Sequence, residues 1–247
     1  MGLYDMTDGD LACKLAEDAG RMLVRLREDS RLTGKKLGKA GDETANEMLV
    51  AALREARPDD GLLSEESKDT KDRLTQDRVW IIDPVDGTRE YGEARSDWAV
   101  HVALAVRGQA VTGAVSLPDL GVTLRSDRPG TEPIRQDRLR MVVSRSRPAK
   151  EALHVAKKLD AELIPMGSAG AKSMAVVRGE ADIYLHSGGQ YEWDNCAPVA
   201  VAQAHGLHCS RIDGAPLIYN QSETWLPDLL ICHKEDAAQI LAIVAAL

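Results

Sequence analysis

Nine residues, Trp80-Ile81-Ile82-Asp83-Pro84-Val85-Asp86-Gly87-Thr88, join an apolar run to a turn that carries two carboxylates. The apolar run predicts a buried strand that ends directly at Asp83. Pro84 and Gly87 favour a tight turn, which brings Asp86 back beside Asp83. Two carboxylates held this close cannot both stay ionised unless a cation lies between them. Because clustered carboxylate oxygens suit Mg2+ better than zinc, the turn predicts a magnesium site.

Two other interpretations of this turn have to be weighed. In the first, Asp86 only caps the helix that follows, which would leave Asp83 without a role. In the second, the chain is a haloacid-dehalogenase-type phosphatase, because those enzymes place an aspartate after a hydrophobic strand in a D-x-D-G-T pattern. Here two residues separate Asp83 from Asp86. That spacing puts the second acid on a different side of the turn, so an aspartyl-phosphate mechanism is not expected.

Composition narrows the classes of protein. The chain has 247 residues, 44% of them hydrophobic, and a net charge of -8, which is typical of a soluble globular protein. No apolar run approaches the ~20 residues that span a bilayer, and the acidic start lacks the basic region of a signal peptide. Four cysteines without a C-x-x-C pair indicate neither a disulfide framework nor a zinc site. A cytoplasmic protein without a membrane partner is expected.

The acidic charge is concentrated in one region. Between Asp59 and Asp97 there are twelve acids and six lysines or arginines, so this stretch carries -6 of the net charge. The chain lacks the basic surface that nucleic-acid binding requires. We therefore expect a small-molecule ligand and no nucleic-acid partner.

The first half of the sequence predicts helices followed by antiparallel strands. Apolar residues at helical spacing predict helices over Leu11–Leu26 and Asp42–Ala56, with Asp42 as the cap of the second. Strands are predicted at Gly61–Ser64, Val79–Ile82, Trp98–Val106, Ala110–Leu117 and Val122–Leu124. The polar segment Lys68–Arg78 is predicted to be a mobile loop. Two prolines and a glycine in Ser126–Pro133 indicate a join between two lobes.

The second half alternates strands and helices, which is typical of an α/β arrangement. Strands are predicted at Leu139–Ser144, Leu163–Met166 and Ala181–Leu185, and helices at Ala149–Leu159, Ala169–Val177, Asp194–Gln203 and from Glu235 onward. The fold class is therefore α/β, with an α+β first lobe.

Three separated blocks of sequence resemble the inositol monophosphatase superfamily of Mg2+-dependent, Li+-sensitive phosphatases. They are Leu63-Ser-Glu65-Glu66-Ser67, the Asp83–Thr88 turn, and Glu192-Trp193-Asp194. Within the superfamily, Gly167–Lys172, Gly179–Tyr184 and Asp213–Asn220 resemble the bacterial 3'-phosphoadenosine 5'-phosphate phosphatases. The resemblance implies one phosphatase fold over residues 1–247, a layered αβαβα sandwich. Its metal-binding lobe would cover about residues 1–130 and its substrate-specificity lobe about residues 131–247.

The resemblance also implies the site residues. Two or three Mg2+ ions would be held by Glu65, Asp83, Asp86, Asp194 and the Val85 carbonyl. Thr88 would orient the attacking water with Glu65 accepting through it, and Asp42 would hold a weaker metal or help orient that water. The helix start at Gly167-Ser168, with Lys172 on its first turn, favours a phosphate or ribose. The full substrate-binding set is Asp86, Gly87, Thr88, Ser144, Gly167, Ser168, Lys172 and Asp194.

Two departures from the superfamily pattern bear on the substrate. Inositol-specific members bind a sugar hydroxyl with a glutamate, and Ser187 stands at that place here. This difference weakens the case for an inositol substrate. Arg147 stands where bisphosphate phosphatases usually have histidine. The expected reaction is hydrolysis of 3'-phosphoadenosine 5'-phosphate to AMP and phosphate, a 3'(2'),5'-bisphosphate nucleotidase activity that would serve sulfate assimilation. An inositol 1-phosphate or fructose 1,6-bisphosphate phosphatase and a non-catalytic Mg2+ and nucleotide sensor are the alternatives. The resemblance allows a homodimer.

Overall fold

A computed structural model describes residues 2–247, which form helices and strands in alternating layers. The α-helices are α1 (Asp8–Asp29), α2 (Gly34–Ala56), α3 (Thr88–Gly92), α4 (Lys150–Leu159), α5 (Ala169–Val177), α6 (Glu192–Ala204) and α7 (Lys234–Ala245). The strands are β1 (Gly61–Ser64), β2 (Arg78–Asp86), β3 (Ala99–Val106), β4 (Gln109–Leu117), β5 (Val122–Arg125), β6 (Arg140–Ser144), β7 (Glu162–Met166), β8 (Ile183–Tyr191), β9 (His208–Ser210) and β10 (Trp225–Cys232). None of the helices within residues 2–247 is long and apolar enough to cross a membrane.

The strands form two sheets of five strands. The first has the order β1-β2-β3-β4-β5, in which β1 is parallel to β2 and the other neighbours are antiparallel. The second has the order β7-β6-β8-β10-β9, in which β6 is parallel to β7 and β8, and β10 is antiparallel to β8 and β9. Residues 126–139 between the sheets contain no helix or strand. The division into two lobes near residue 130 remains a prediction.

Three hydrophobic cores lie between the five layers, and the middle core covers both faces of the layer that holds α5 and α6. Along β3, Val100, Val102 and Leu104 pack with α1 and α2, whereas Ala99, Ala103 and Ala105 face the layer that holds α5 and α6. The same middle core includes residues of the second sheet, and α4 with α7 covers the far face of that sheet. Because successive strand residues point to opposite faces, one strand serves two cores. The predicted αβαβα sandwich is confirmed.

The structure corrects several predicted boundaries. Helix α2 begins at Gly34, so Asp42 lies inside the helix and does not cap it. Strand β8 continues to Tyr191 instead of ending at Leu185, through two glycines with positive φ that weaken its sequence pattern. Strands β9 and β10 were not predicted, because their segment carries two prolines and β9 is only three residues long.

The segment predicted as a mobile loop is anchored by one buried arginine. Residues Asp72–Thr75 form a 3-10 turn, and Arg73 is only 3% exposed. Its guanidinium donates to Asp69, to the Asn220 side chain at 2.7 Å and to the Gln221 carbonyl at 3.0 Å. A buried cation with this many acceptors fixes the segment against the loop before β10, so the prediction of a simple mobile loop is wrong.

Candidate active site

A bulge in β2 places Asp83 and Asp86 on the same face of the first sheet. Asp83 lies opposite His101 and Asp86 lies opposite Ala99, so three steps along β2 match two steps along β3. Without the extra residue, side chains three positions apart would point to opposite faces. Gly87 then turns the chain into α3 with a φ of 88°, a left-handed conformation that glycine adopts without strain.

A third carboxylate comes from the N-terminus of α6. Asp194 accepts a hydrogen bond from the Tyr191 backbone N–H at 2.6 Å, which fixes its side chain on the first turn. Carboxylate oxygens of Asp83, Asp86 and Asp194 lie within 4.8 Å of one another. The predicted convergence of acids from β2 and α6 is thus present in the structure.

Glu65 completes the cluster from the neighbouring strand. Because β1 and β2 are parallel, their ends meet at the same edge of the sheet, and Glu65 follows β1 directly. Its side chain reaches solvent and lies against Asp83. Loss of hydration and then the negative charge of Asp194 raise the pKa of Glu65 to about 7. Burial and the charges of Glu65, Asp86 and Asp194 raise the pKa of Asp83 well above its usual range.

The Thr88 hydroxyl lies between two acceptors. It is 3.3 Å from Asp42 Oδ1 and 3.1 Å from the Val85 carbonyl oxygen. A hydroxyl has one proton, so it donates to one of these acceptors at a time and leaves the other able to bind elsewhere. Burial and the charges of Glu66 and Glu65 raise the pKa of Asp42 to about 8. The sequence-predicted group of Asp42, Val85 and Thr88 is therefore brought together.

Glycines in α2 make this approach of Asp42 to Thr88 sterically feasible. An ideal Cβ at Gly38 would lie 2.7 Å from Thr88 Cγ2, and one at Gly41 would lie 2.7 Å from the Tyr91 ring. Each glycine inside a helix costs about 1 kcal/mol relative to alanine. The close packing of α2 on α3 explains why the helix contains them, and it shows how Asp42 reaches the site from a helix interior.

The start of α5 differs from its prediction as a free anion site. The Asp86 carboxylate accepts hydrogen bonds from the Ser168 hydroxyl at 2.5 Å, the Ala169 N–H at 3.1 Å and the Gly170 N–H. Burial opposes ionisation, but the positive charge of His101 and these donors together lower the pKa of Asp86 to about 2. The helix dipole thus already has an anion, which belongs to the protein itself.

Lys172 is likewise engaged within the protein. Its side chain is 5% exposed, its ammonium donates to the Gly167 and Ser168 carbonyls, and it lies 5.3 Å from the centroid of the Tyr184 ring. Burial lowers its pKa to about 8. The amine therefore secures the turn before α5, and its contact with a phosphate or ribose stays a prediction.

A cavity of about 520 Å3 extends from Asp194 into the second sheet. The predicted residues Ser144, Gly167, Ser168 and Lys172 line it, together with Arg145, Arg147 and others that the prediction did not include as site residues: Arg89, Glu90, Tyr184, His186, Gly189 and Gln190. Gly87 and Thr88 do not line this cavity; they directly follow Asp86 at the end of β2. Arg89 directly follows the turn at Thr88, which is the signal that could have indicated it.

The basic side chains of this cavity are not equivalent. Arg145 donates to Glu90 at 2.6 Å and to Glu93 at 3.2 Å, so its charge is partly compensated. Arg147 is exposed at the cavity, and its backbone N–H donates to Ser144 Oγ at 3.2 Å. Ser187, at the place of the inositol-specific glutamate, donates to Glu151. Arg147 is therefore well placed to meet an anionic ligand.

Comparisons with known proteins agree with this geometry. Residues 10–246 match the profile of the inositol monophosphatase family. The chain belongs to that family. It is 44% identical to the 3'-phosphoadenosine 5'-phosphate phosphatase of Mycobacterium leprae (strain TN), over 97% of this chain and 94% of the relative. It is 28% identical to the 3'(2'),5'-bisphosphate nucleotidase CysQ of Escherichia coli (strain K12), over 88% of this chain and 96% of the relative.

Among solved structures, the fold is similar to CysQ from Bacteroides thetaiotaomicron, a bacterial member of the inositol monophosphatase family. The TM-score is 0.78 at 26% identity, over 94% of this chain and 99% of the other. The predicted family and its phosphatase class are confirmed. This metal-dependent family and the acidic cluster at Asp83 agree on a metal-binding site.

Proposed function

We propose that this protein is a Mg2+-dependent phosphatase that releases the 3'-phosphate of 3'-phosphoadenosine 5'-phosphate to give AMP and phosphate. The observation that carries the proposal is the cluster of carboxylates from Asp83, Asp86 and Asp194, which opens, at Asp194, onto a cavity with basic side chains. The volume of about 520 Å3 lies within the range of small-molecule sites. The named activity of the Mycobacterium leprae relative supports a nucleotide carrying two phosphates.

The residues present fit a hard divalent cation. Several carboxylates whose pKa values are raised by burial and by one another need positive charge, and all the ligand atoms are oxygens. Glu65, Asp83, Asp86, Asp194 and the Val85 carbonyl would hold two or three Mg2+ ions. When bound, the metal would stabilise negative charge on the phosphate oxygens and lower the pKa of a water molecule from ~15.7 towards ~7.

The protein's own groups would orient the nucleophile and accept its proton. The Thr88 hydroxyl, held by Asp42 and the Val85 carbonyl, can hydrogen-bond a water without any change of backbone. Asp42, whose pKa is raised to about 8 by burial and by neighbouring acids, is suited to take up a proton near neutral pH, and Glu65 would accept through Thr88. A direct attack of water on phosphorus needs no covalent intermediate, so no nucleophilic side chain is required.

The cavity wall would choose the substrate. Arg147, and to a lesser degree the ion-paired Arg145, offers a guanidinium to a phosphate remote from the reacting one. Ser144 and the Gly167-Ser168 turn would form the adjoining wall. Ser187 has no carboxylate to bind a sugar hydroxyl at the place where inositol-specific members have glutamate. The neighbouring Glu151 carboxylate accepts a hydrogen bond from Ser187.

The direct test is phosphate release from a panel of substrates. The panel contains 3'-phosphoadenosine 5'-phosphate, its sulfated analogue, inositol 1-phosphate and fructose 1,6-bisphosphate, each with Mg2+, with Mn2+ or Zn2+, and with EDTA. The highest kcat/KM is expected on 3'-phosphoadenosine 5'-phosphate with Mg2+. A preference for either sugar phosphate would favour the alternative phosphatases. Failure on every substrate, with nucleotide binding retained, would favour the sensor.

Three further parts of the proposal come from the same resemblance. Inhibition by millimolar Li+ is expected, because a small monovalent ion in a Mg2+ position would trap product phosphate. A homodimer would be detected by light scattering at micromolar protein. A cytoplasmic location would be checked by cell fractionation.

A further inference from the structure

His101 lies in the middle of β3, on the face that points toward α5 and α6. Its side chain is fully buried, and the neighbours on the same face of the strand are the small residues Ala99 and Ala103. A buried histidine in an otherwise apolar strand needs partners for both ring nitrogens. The sequence analysis gave this residue no functional role, and it does not line the cavity at Asp194.

Both ring nitrogens face acceptors at the acidic cluster. Nδ1 lies 3.0 Å from the carbonyl oxygen of Trp193, the residue before Asp194. Nε2 lies 3.2 Å from Asp86 Oδ2, at ion-pair distance but without the alignment of a full hydrogen bond. Because a carbonyl and a carboxylate can only accept, the imidazole is positioned to donate from both nitrogens.

The residues in contact with His101 come from both sides of the cleft. Asp86 ends a strand of the first sheet, whereas Trp193 lies on the first turn of α6, which follows a strand of the second sheet. Gly170, on α5, also packs here: an ideal Cβ at this position would lie 2.0 Å from His101 Nε2 and 2.9 Å from Asp86 Oδ2. The imidazole therefore fills the space between elements that must each deliver a carboxylate to one point.

Like charges at that point would otherwise push these elements apart. Carboxylate oxygens of Asp83, Asp86 and Asp194 lie within 4.8 Å of one another, a distance at which like charges repel. A donor that holds one carboxylate directly, and the backbone before the other, resists this separation. Partners that orient metal ligands from behind typically change metal affinity by about 10- to 100-fold when removed.

We infer that His101 is a positioning residue that fixes Asp86 relative to Asp194 and thereby sets the affinity of the site for divalent cations. The inference rests on the proposed metal-dependent function. His101 acts through the carboxylates and does not touch substrate.

Two substitutions separate the halves of the link. Asn places its amide near the position of Nδ1 and can keep the bond to the Trp193 carbonyl, whereas Gln places its amide near Nε2 and can keep the contact to Asp86. His154→Asn on α4, which contributes nothing to the cluster, is the matched control. Mg2+ binding to each protein is measured by titration calorimetry without substrate, and kcat and KM are then measured over a range of Mg2+.

The expected result is that His101→Asn and His101→Gln each weaken Mg2+ binding by about tenfold or more, while His154→Asn does not. Substrate KM at saturating Mg2+ should stay within about twofold of the wild-type value, because the substrate cavity is unchanged. Equal Mg2+ affinity in wild-type protein and both folded variants would overturn the inference and leave the proposed function intact. If wild-type protein bound no Mg2+, the proposed function itself would fail.

Denaturant unfolding in EDTA shows whether His101→Asn and His101→Gln are folded. If both are unfolded, Gly170→Ala provides the second test, because the added methyl group would lie 2.0 Å from His101 Nε2 and would displace the imidazole from Asp86. Weakened Mg2+ binding in folded Gly170→Ala supports the role of His101, and unchanged binding contradicts it.

Discussion

The carboxylates at the ends of β1 and β2 and the polar groups at the start of α5 adjoin each other but differ in electrostatic balance. At the strand ends, Glu65 and Asp83 have raised pKa values because burial removes hydration and negative charges surround them. At the helix start, Asp86 accepts from Ser168 and from two backbone N–H groups, and its pKa is about 2. Lys172 is similarly satisfied by two carbonyls. The carboxylates at the strand ends thus lack positive charge, whereas the charged groups at the helix start already have hydrogen-bond partners within the protein.

The difference separates a binding site from its support. Both regions carry charged residues that sequence patterns associate with ligands. Only the structure shows that the charges at α5 already have hydrogen-bond partners within the protein, three donors for Asp86 and two carbonyls for Lys172. The uncompensated carboxylates carry a penalty in the free protein that a cation would remove. The predictions below test this contrast.

The largest effect is expected for Asp83→Asn, which should reduce kcat by more than about a thousandfold and raise the free energy of unfolding in EDTA. The pKa of Asp83 is raised in the folded state, so its charge opposes folding above pH 3.8, and this penalty grows as pH rises toward the folded pKa. Asn removes that charge. Steady-state kinetics at saturating Mg2+ and denaturant unfolding in EDTA measure the two effects.

Asp77→Asn is the matched control for Asp83→Asn. Asp77 belongs to the same acidic stretch but is 71% exposed and pairs only with an exposed arginine, so activity and stability should stay near wild type. Normal turnover by Asp83→Asn, or a loss of stability in EDTA, would show that Asp83 is not part of an uncompensated metal cluster.

Thr88→Ala is expected to lower kcat by about a hundredfold or more with little change in KM, since it removes the hydroxyl that orients water and keeps the backbone. Thr88→Ser retains the hydroxyl and should recover most of the loss. Steady-state kinetics on 3'-phosphoadenosine 5'-phosphate make the comparison. A raised KM with unchanged kcat would instead make Thr88 a substrate ligand.

Much of the acidic cluster could be predicted because it depends on local sequence. An apolar strand followed by Asp83, Pro84 and Asp86 fixes a turn within a few residues, and the three superfamily blocks gave the order of the remaining ligands. The α/β class followed from the change in pattern between the two halves of the chain, whereas the layered αβαβα arrangement was implied by the resemblance to the superfamily. The second sheet was incompletely predicted, because the apolar residues of β10 follow a segment with prolines and few regular signals.

The cavity wall was harder to predict because its properties depend on contacts between distant segments. Asp86 occupies the helix start from 82 to 84 residues away, which no local pattern shows, and the bonds of Lys172 to carbonyls four and five residues back depend on how that turn is folded. His101 appeared as one polar residue in a strand, and its partners Asp86 and Trp193 become evident only in three dimensions. Helix α2 begins earlier than predicted. Its glycines lower the helix propensity of this segment, so the sequence pattern missed the first turns, and their presence is explained by close packing on α3.

A pair of variants tests which cation of the cavity meets substrate. Arg147→Ala should lower kcat/KM on 3'-phosphoadenosine 5'-phosphate about tenfold more than on inositol 1-phosphate, as expected for about 1.4 kcal/mol of a charged hydrogen bond. Lys172→Met should lower both equally and reduce the free energy of unfolding by about 1–3 kcal/mol, because it leaves the Gly167 and Ser168 carbonyls without a donor. The measurements are kcat/KM on both substrates and denaturant unfolding. A selective loss in Lys172→Met would restore lysine as the phosphate ligand.

The smallest effect is expected for Asp69→Asn, an acid of the same acidic stretch that is compensated. Asp69 accepts from Arg73 at 2.8 Å and from the Lys71 backbone N–H at 2.9 Å. Burial opposes ionisation, but these donors and the charge of Arg73 lower its pKa below the usual 3.8. Its stabilisation is therefore fully present above pH 3.8 and is lost as pH falls toward the folded pKa. Asp69→Asn should lower the free energy of unfolding by about 1–2 kcal/mol at pH 7, and the gap to wild type should narrow below about pH 4. Denaturant unfolding in EDTA at several pH values measures it beside Asp83→Asn, which should differ from wild type in the opposite direction at neutral pH. If both variants shifted stability in the same direction, the distinction between compensated and uncompensated acids would not hold.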